Sequence, residues 1–374
     1  MIESITTRDG FERLGDEWRE LQRRSASRCL FLTWEWLFTW WKHLSAARRL
    51  MILVVRRHGR IAAIAPFAIR PASASRLLPF RAVEFLGTGS AGSDYLDLIV
   101  ERGSEIETIE EIARHLEALR LPLELPQVLL DGSSARLLAE RLAPRGWRVS
   151  TTRTNVCPFI RLAGLDWPTY IASLGRAHRA NLHRRIRGLQ RIDSVRFDAV
   201  RSEEERRTAL GHLIALHNAR RQQLGGSDAF HTRDMVLFHH EFSGVALRNG
   251  WLRLMVLCVG RAPVAYFYGF RHETVHYFYQ SAFDPAWSDR SVGLVAMGLA
   301  IRSAIEEGAG EFDLLHGAER YKYHWAREER SIARMDLHPP SLRGWIASGA
   351  AEFGRVARST GRSLARVSGG GPLA

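Results

Sequence analysis

Lysine is nearly absent from this chain of 374 residues, which contains only Lys42 and Lys322. Arginine therefore supplies almost all of the basic charge, and 53 basic against 40 acidic residues give a formal net charge of +13. A basic protein favours anionic partners such as a nucleotide cofactor, a nucleic acid, an anionic lipid surface or an acidic glycan. The charge alone does not choose among them.

Cysteine and long apolar runs are also scarce. The three cysteines (Cys29, Cys157 and Cys258) lack metal-ligand spacing and cannot all pair, which favours a reducing compartment. His239-His240-Glu241 lacks the second histidine of a zinc-binding helix, so we expect no metal site. The sequence contains no run of 18 uncharged apolar residues, so we expect no transmembrane helix. Met1–Ser4 lacks the basic-then-apolar form of a secretory signal. We therefore expect a cytoplasmic protein.

The most informative stretch begins at Trp251. Three apolar segments rich in β-branched and aromatic residues, separated by short polar breaks, predict an antiparallel meander: Trp251–Val259, Val264–Phe270 and Thr274–Phe283. The apolar residues of Ser291–Glu307 then predict a helix buried against this sheet, and Phe312–Leu315 predicts a further strand.

The start of that helix is a candidate cofactor site. A helix N-terminus leaves backbone N–H groups unpaired and carries a partial positive charge, so it can bind a pyrophosphate without a dedicated side chain. We predict that a cofactor pyrophosphate binds the backbone of Ser291, Val292, Gly293 and Leu294, with Arg290 pairing to phosphate. We also expect Gln280, on the preceding predicted strand, in this cofactor site. A buried crossover helix with no ligand would produce the same pattern.

Matching elements in the two halves indicate an internal repeat. Gly59-Arg60 opens an apolar strand that ends at Arg70, just as Gly260-Arg261 opens one that ends at Arg271. A helix precedes each predicted hairpin, and a strand, a loop and a helix follow it. We therefore predict an α/β (α+β) fold with two tandem domains, at residues 1–163 and 164–340. Each is expected to be a mixed, mostly antiparallel sheet flanked by helices, and residues 341–374 to form a basic tail.

The first half contains three candidate substrate-binding residues. Trp36 belongs to an aromatic-rich predicted helix, which is either a sugar-stacking platform or, as the helical spacing favours, part of the core. Asp94 and Tyr95 follow the glycine-rich stretch Gly87–Gly92. A dinucleotide fingerprint would continue into a helix, but the alternation of Ser93–Val100 predicts a strand. Asp94 is a candidate acid or hydrogen-bond acceptor, or a turn residue that satisfies its own backbone.

Two segments are strongly basic. The predicted helical stretch from Pro168 to Arg191 contains six arginines and no acidic residue, which is typical either of a solvated helix face or of contact with phosphate or a polyanion. Ser341–Val367 is predicted to be a basic helix that is dispensable for folding. Its short apolar face suits contact with an anionic membrane surface.

Several of these motifs together resemble the CelD-like GNAT acyltransferases, which are associated with cellulose and exopolysaccharide biosynthesis and related in fold to the FemAB peptidyltransferases. The segments that carry the resemblance are Phe31–Leu37, Ser93–Asp97, Arg176–Arg191 and Glu311–Gly317 with the following Tyr321–Trp325. Arg290-Ser291-Val292-Gly293 matches the first half of the GNAT signature R-x-x-G-x-G/A, whereas Val295 stands at the second small position. The resemblance covers about residues 5–338. It implies two tandem GNAT-like domains and acyl transfer from acyl-CoA (acetyl-CoA) to an amine or hydroxyl.

The Tyr321-Lys322-Tyr323 run is the predicted catalytic centre. Acyl transfer needs a base for the acceptor, charge stabilisation for the developing oxyanion and an acid for the departing thiolate. We assign charge stabilisation to Lys322, protonation of the thiolate to Tyr321 or Tyr323, and acceptance of a hydrogen bond or proton from the acceptor to Asp313. The alternative is an aromatic patch that covers the core, with Lys322 reaching solvent.

Three functions are open to such a chain. The first is an acyl-CoA-dependent N- or O-acyltransferase that acts on a sugar, polysaccharide or envelope precursor. The second is a FemAB-like aminoacyl transferase that uses aminoacyl-tRNA, for which the arginine-rich helix would contact the RNA. The third is a non-catalytic scaffold in exopolysaccharide biosynthesis.

Overall fold

The computed structural model describes residues 2–72, 81–89, 91–224 and 230–340, so the predicted basic tail lies outside the described residues. The strands are β1 Ile2–Ile5, β2 Arg49–Arg57, β3 Arg60–Arg70, β4 Ala82–Phe85, β5 Ile99–Val100, β6 Leu123–Leu129, β7 Arg148–Arg161, β8 Val195–Ala199, β9 Leu252–Val259, β10 Ala262–His272, β11 Val275–Phe283, β12 Glu311–Asp313 and β13 Glu328–His338. The helices are α1 Arg8–Arg13, α2 Gly15–Arg24, α3 Trp34–Leu44, α4 Glu105–Leu119, α5 Ser134–Leu142, α6 Trp167–Ser173, α7 Arg176–Gln190, α8 Glu203–Leu224, α9 Arg233–Arg248 and α10 Val292–Glu306.

Within the described residues, the strands form one mixed sheet in the order β1-β2-β3-β4-β6-β13-β7-β12-β11-β10-β9-β8, with β5 beside β3. Side chains of β10 alternate between two layers, as strand geometry requires. Tyr268 and Phe270 pack in the core that contains residues of α3 and α9, whereas Phe267 packs in a separate core with Met297 and Ile301 of α10. The predicted α/β class, with helices packed on a mixed sheet, is confirmed.

The predicted repeat is visible in the order of the elements. The hairpins β2–β3 and β9–β10 occupy corresponding places. The first is followed by the strands β4 and β5 and the helix α4, and the second by the strand β11 and the helix α10. Helices α3 and α9, which precede the two hairpins, pack against each other. Trp36 of α3 contacts Phe238 and Phe242 of α9 edge to face. The halves are therefore joined by a shared aromatic core.

Strands β7 and β13 join the halves a second time. β13 lies between β6 and β7, with antiparallel pairing to both, and β7 also pairs with β12 at Phe159–Arg161. The last strand of the predicted second domain thus completes the sheet of the first. The boundary predicted at residue 163 falls just after β7.

Two local predictions were wrong, and two strands were not predicted at all. Ser93–Val100 is mostly a loop, and only Ile99–Val100 is strand, because the backbone turns at Tyr95 with a positive φ of 59°. The stretch from Pro168 to Arg191 is divided into α6 and α7 by an extended Leu174. Strands β8 and β13 were not anticipated, since their polar residues obscure the alternation. No helix of the described residues has the length and apolar character needed to cross a membrane.

Candidate active site

The candidate active site begins where β11 and β12 separate. The two parallel strands pair only from Val275–Tyr277 to Glu311–Asp313, after which β11 continues to Phe283 without a strand on that edge among the described residues. β11 also carries a bulge: Tyr268 pairs with Gln280 and Gly269 with Phe278, so Tyr279 is the extra residue. Bulges re-aim side chains and often lie beside active sites.

The two faces of the sheet are distinct at this point. The pairing of Val275 with Glu311 and Tyr277 with Asp313 places these four side chains on one face, because alternate strand residues share a face. Phe312 points to the other face and packs in the core that contains residues of α10. A ligand at the start of α10 and a ligand beside Asp313 would therefore approach the separated strands from opposite sides.

The start of α10 has the features of an anion site. Ser291 precedes the helix in a left-handed conformation with φ 54°, and its side chain makes no capping hydrogen bond. The N–H groups of Ser291 and Leu294 donate to the carbonyls of Ser288 and Ser291. Those of Val292 and Gly293 have no backbone partner among the described residues, as expected for the first turn of a helix. Of the four predicted residues, Gly293 has an unpaired amide at a half-buried position, whereas Val292 is fully buried.

Three predicted or signature side chains lie around this helix start: Val295, Arg290 and Gln280. Val295, which stands at the second small position of the signature, is fully buried in the core and does not line the helix end. Arg290 is exposed. Gln280 lies on β11, where its Oε1 accepts a hydrogen bond from the Ser281 N–H and its Nε2 lies 3.3 Å from His217 Nε2. The site residues predicted for the cofactor therefore occupy the open strand edge and the adjacent helix start.

Asp94 and His316 form a hydrogen-bonded pair across the two halves. Asp94 is fully buried, and its oxygens lie 2.9 Å from both the backbone N–H and the Nδ1 atom of His316. Gln127 donates to the same carboxylate at 2.7 Å. The hydrogen bond and charge of Asp94 raise the pKa of His316 above its usual 6.5. The His316 side chain is 41% exposed, so its Nε2 edge can meet a substrate.

Asp313, at the end of β12, lies in a second polar contact between the halves. Its carboxylate accepts hydrogen bonds from the Tyr95 hydroxyl at 2.8 Å and from the Leu315 N–H. Arg330 lies at 3.4 Å but is engaged mainly by Glu311. Burial raises the pKa of Asp313 to about 7, because removal from water penalises the carboxylate.

A cavity of about 300 Å³ lies against Asp313, with walls from both halves. Two guanidinium groups and four carboxyl groups line it: Arg28, Arg330, Asp97, Glu273, Glu311 and Asp313. The guanidinium groups pair with Glu273 and Glu311. A protein with net charge +13 thus has a locally acidic cavity at this place.

The Tyr321-Lys322-Tyr323 run, which was predicted to be the catalytic centre, has its lysine buried and its two tyrosines exposed. Lys322 is 3% exposed, and its Nζ donates to the carbonyls of Leu315 and His316 and lies 3.0 Å from Glu319. It therefore holds the loop that carries His316. Tyr321 and Tyr323 are both exposed, and the Tyr323 hydroxyl donates to Glu329.

The structure brings Asp94, Tyr95 and Asp313 together. Lys322 lies behind them, where it binds the backbone of the loop that carries His316. Trp36 is fully buried and donates from Nε1 to Ser93, so it supports the Asp94 loop from within the core instead of facing a ligand. His316 was missed as a site residue, although it directly follows a predicted strand. A histidine at a strand end next to glycine was the available signal.

Comparison with known proteins now identifies the class. Residues 176–323 match the family of acetyltransferase (GNAT) domains. No curated protein matches the sequence. The fold is mixed α/β, and the protein is an acyltransferase in which residues 176–323 are similar to a GNAT domain.

Three solved structures illustrate the likeness of fold. The crystal structure of FemX has a TM-score of 0.61 and 12% identity, covering 90% of this chain and 96% of that chain. A conserved protein of unknown function from Bacteroides thetaiotaomicron has a TM-score of 0.57 and 11% identity, with 90% and 100% covered. The C-terminal domain of a putative lysylphosphatidylglycerol synthetase from Agrobacterium fabrum has a TM-score of 0.54 and 10% identity, with 91% and 96% covered.

Proposed function

We propose that the protein transfers an acyl group from an acyl-CoA, with acetyl-CoA as the simplest donor, to an amine or hydroxyl of a sugar, polysaccharide or envelope precursor. The observation that carries this proposal is the Asp94–His316 pair, which lies close to the bulge residue Tyr279 of β11. The association with exopolysaccharide biosynthesis rests on the resemblance to CelD-like proteins.

The pair supplies general-base chemistry. Because Asp94 occupies Nδ1 of His316, the Nε2 atom is left to accept a proton from the acceptor. The acceptor nitrogen or oxygen then forms a bond to the acyl carbon while the carbon–sulfur bond of the thioester breaks. The proton held on His316 passes to the departing thiolate, so that charge and protons balance.

The cofactor fits the residues on the opposite face of the sheet. The unpaired amide of the half-buried Gly293 and the exposed Arg290 suit the diphosphate of CoA. The unpaired edge of β11 offers backbone donors and acceptors to an arm that contains amides. When bound there, CoA would supply the thioester that the acceptor attacks.

The acceptor would enter through the acidic cavity. Its four carboxyl groups outnumber its two guanidinium groups, which suits a cationic group better than a neutral one. An amine is therefore the favoured acceptor, bound as ammonium beside Asp313 and deprotonated before attack.

Calorimetry with acetyl-CoA tests the donor. Micromolar binding that weakens by about ten-fold in Arg290→Ala would support acyl-CoA, and absence of binding to the wild-type protein would refute it. Transfer to glucosamine, compared with glucose as the neutral control, tests the preference for an amine.

One observation favours an aminoacyl-tRNA donor as the second candidate. Six exposed or half-buried arginines on or just after α7 make no ion pair with an acidic side chain among the described residues: Arg176, Arg179, Arg184, Arg185, Arg187 and Arg191. Such a face suits the RNA backbone. Binding of tRNA at physiological salt without binding of acetyl-CoA would favour this candidate.

A further inference from the structure

The bulge residue Tyr279 makes a contact that the proposed mechanism does not use. Its hydroxyl donates to the carbonyl of Ala91 at 2.7 Å, across the boundary between the halves. Ala91 lies three positions before Asp94, in the loop that delivers this carboxylate to His316. The same loop turns at Gly92 with φ 61°.

Gly92 lies between Tyr279 and His316. A Cβ placed at this residue would be 3.6 Å from the Tyr279 hydroxyl and 3.9 Å from Cε1 of His316. Tyr279 therefore contacts the Asp94 loop next to the imidazole that the loop must orient.

A buried histidine fixes the orientation of the Tyr279 hydroxyl. His239 is fully buried, with Nε2 at 3.1 Å from the Tyr279 hydroxyl and Nδ1 at 3.4 Å from the Tyr268 hydroxyl. Burial lowers the pKa of His239 to about 3, so the ring is neutral and has one N–H. Since Tyr279 gives its only hydrogen to Ala91, it accepts from Nε2–H, and Nδ1 accepts from Tyr268.

The hydrogen bonds therefore run in one direction. Tyr268 donates to His239, His239 donates to Tyr279, and Tyr279 donates to Ala91. All three side chains belong to the C-terminal half, and the final acceptor belongs to the N-terminal half.

We propose that Tyr279, oriented by His239, is a positioning residue that holds the 91–94 loop so that Asp94 meets His316. The inference rests on the proposed general-base role of His316 for its effect on turnover. The contact between Asp94 and His316 can be measured without that role.

The test is a histidine titration by nuclear magnetic resonance in the full chain, with Tyr279→Phe and the matched variant Tyr266→Phe. Tyr266 is also a buried tyrosine, and its hydroxyl lies 3.0 Å from Nδ1 of His212, but it makes no hydrogen bond to Ala91 among the described residues. In Tyr279→Phe the pKa of His316 should fall toward its ordinary value, because the Asp94 contact that raises it loosens. In Tyr266→Phe it should stay unchanged.

The other charges near His316 stay in place in both variants. Lys322 lowers the pKa of His316 and Glu319 raises it, and neither contacts Tyr279 or Tyr266. A shift confined to Tyr279→Phe therefore reports on Asp94. Turnover should fall about ten-fold in that variant, with the KM for acetyl-CoA unchanged.

Two further results decide the proposal. If Tyr279→Phe does not fold, His239→Leu removes the donor that orients Tyr279 and should shift the His316 pKa in the same direction. An unchanged His316 pKa in a folded variant would overturn the positioning role. A shifted pKa with unchanged turnover would support it and contradict His316 as the general base instead.

Discussion

At the scale of single residues, His316 and Asp94 make the sharpest prediction. The base must be unprotonated, and Asp94 raises its pKa, so kcat/KM should fall as the pH drops through this raised value. His316→Gln should lose about 100-fold in kcat. Asp94→Asn should also lose activity, and its remaining pH dependence should move to lower pH. Rates between pH 5 and 9 measure both effects.

A nearby histidine provides the control. His324 is exposed and stacks on His178, away from Asp94. His324→Gln should keep the wild-type profile, and a similar loss in both variants would contradict the assignment to His316.

Asp313 predicts a pH dependence of stability. Its pKa is about 7 in the folded chain and 3.8 in the unfolded chain, so the folded chain binds more protons between these values. Stability should therefore decrease as the pH rises from about 4 to 7. Asp313→Asn should weaken this decrease, as measured by urea denaturation at pH 5 and pH 8. A wild-type slope in the variant would refute the buried carboxyl as its source.

Substitutions of Lys322 can distinguish a catalytic role of this residue from a structural one. Its buried ammonium binds two carbonyls of the His316 loop, so Lys322→Met should destabilise the fold by about 1–3 kcal/mol. Lys322→Arg keeps the charge but brings a larger planar group to a closed site. A fold of normal stability with turnover reduced about ten-fold or more in Lys322→Arg would support the predicted charge stabilisation.

At the scale of elements, the uncapped start of α10 predicts cofactor affinity. Arg290→Ala should weaken acetyl-CoA binding by about ten-fold, which is the effect of losing one charge-assisted contact. Arg302→Ala, on the same helix but paired with Glu306, should bind normally. Equal dissociation constants for wild type and Arg290→Ala would remove the phosphate site from this helix.

Most elements were predictable because they are local. The hairpins and α10 have uninterrupted apolar patterns, and the observed bounds of β9, β11 and α10 lie within one residue of the predicted ones. The Asp94 loop was not predictable, because its alternating residues mimic a strand. Partners distant in the sequence decide its conformation: His316 from the other half and Gln127 from β6.

At the scale of the whole molecule, β13 predicts how the halves depend on each other. A chain that ends before Glu328 lacks the strand between β6 and β7 and should not fold in either half. A chain that ends at Pro340 should melt within a degree or two of the full chain if the tail is dispensable. Circular dichroism melts compare the two truncations. A stable fold without β13 would show that the halves are independent.

The sequence by itself determined the fold class and the position of most hairpins and of α10, since these depend on apolar spacing and on glycine and proline over short ranges. Only the tertiary structure decided which polar side chains meet. Asp94 contacts His316, Tyr95 contacts Asp313 and Tyr279 contacts Ala91 over separations of roughly 200 residues. Each of these contacts joins the N-terminal half to the C-terminal half. No local pattern records such contacts, because their geometry is set by the packing of two cores and by the strand that one half contributes to the other.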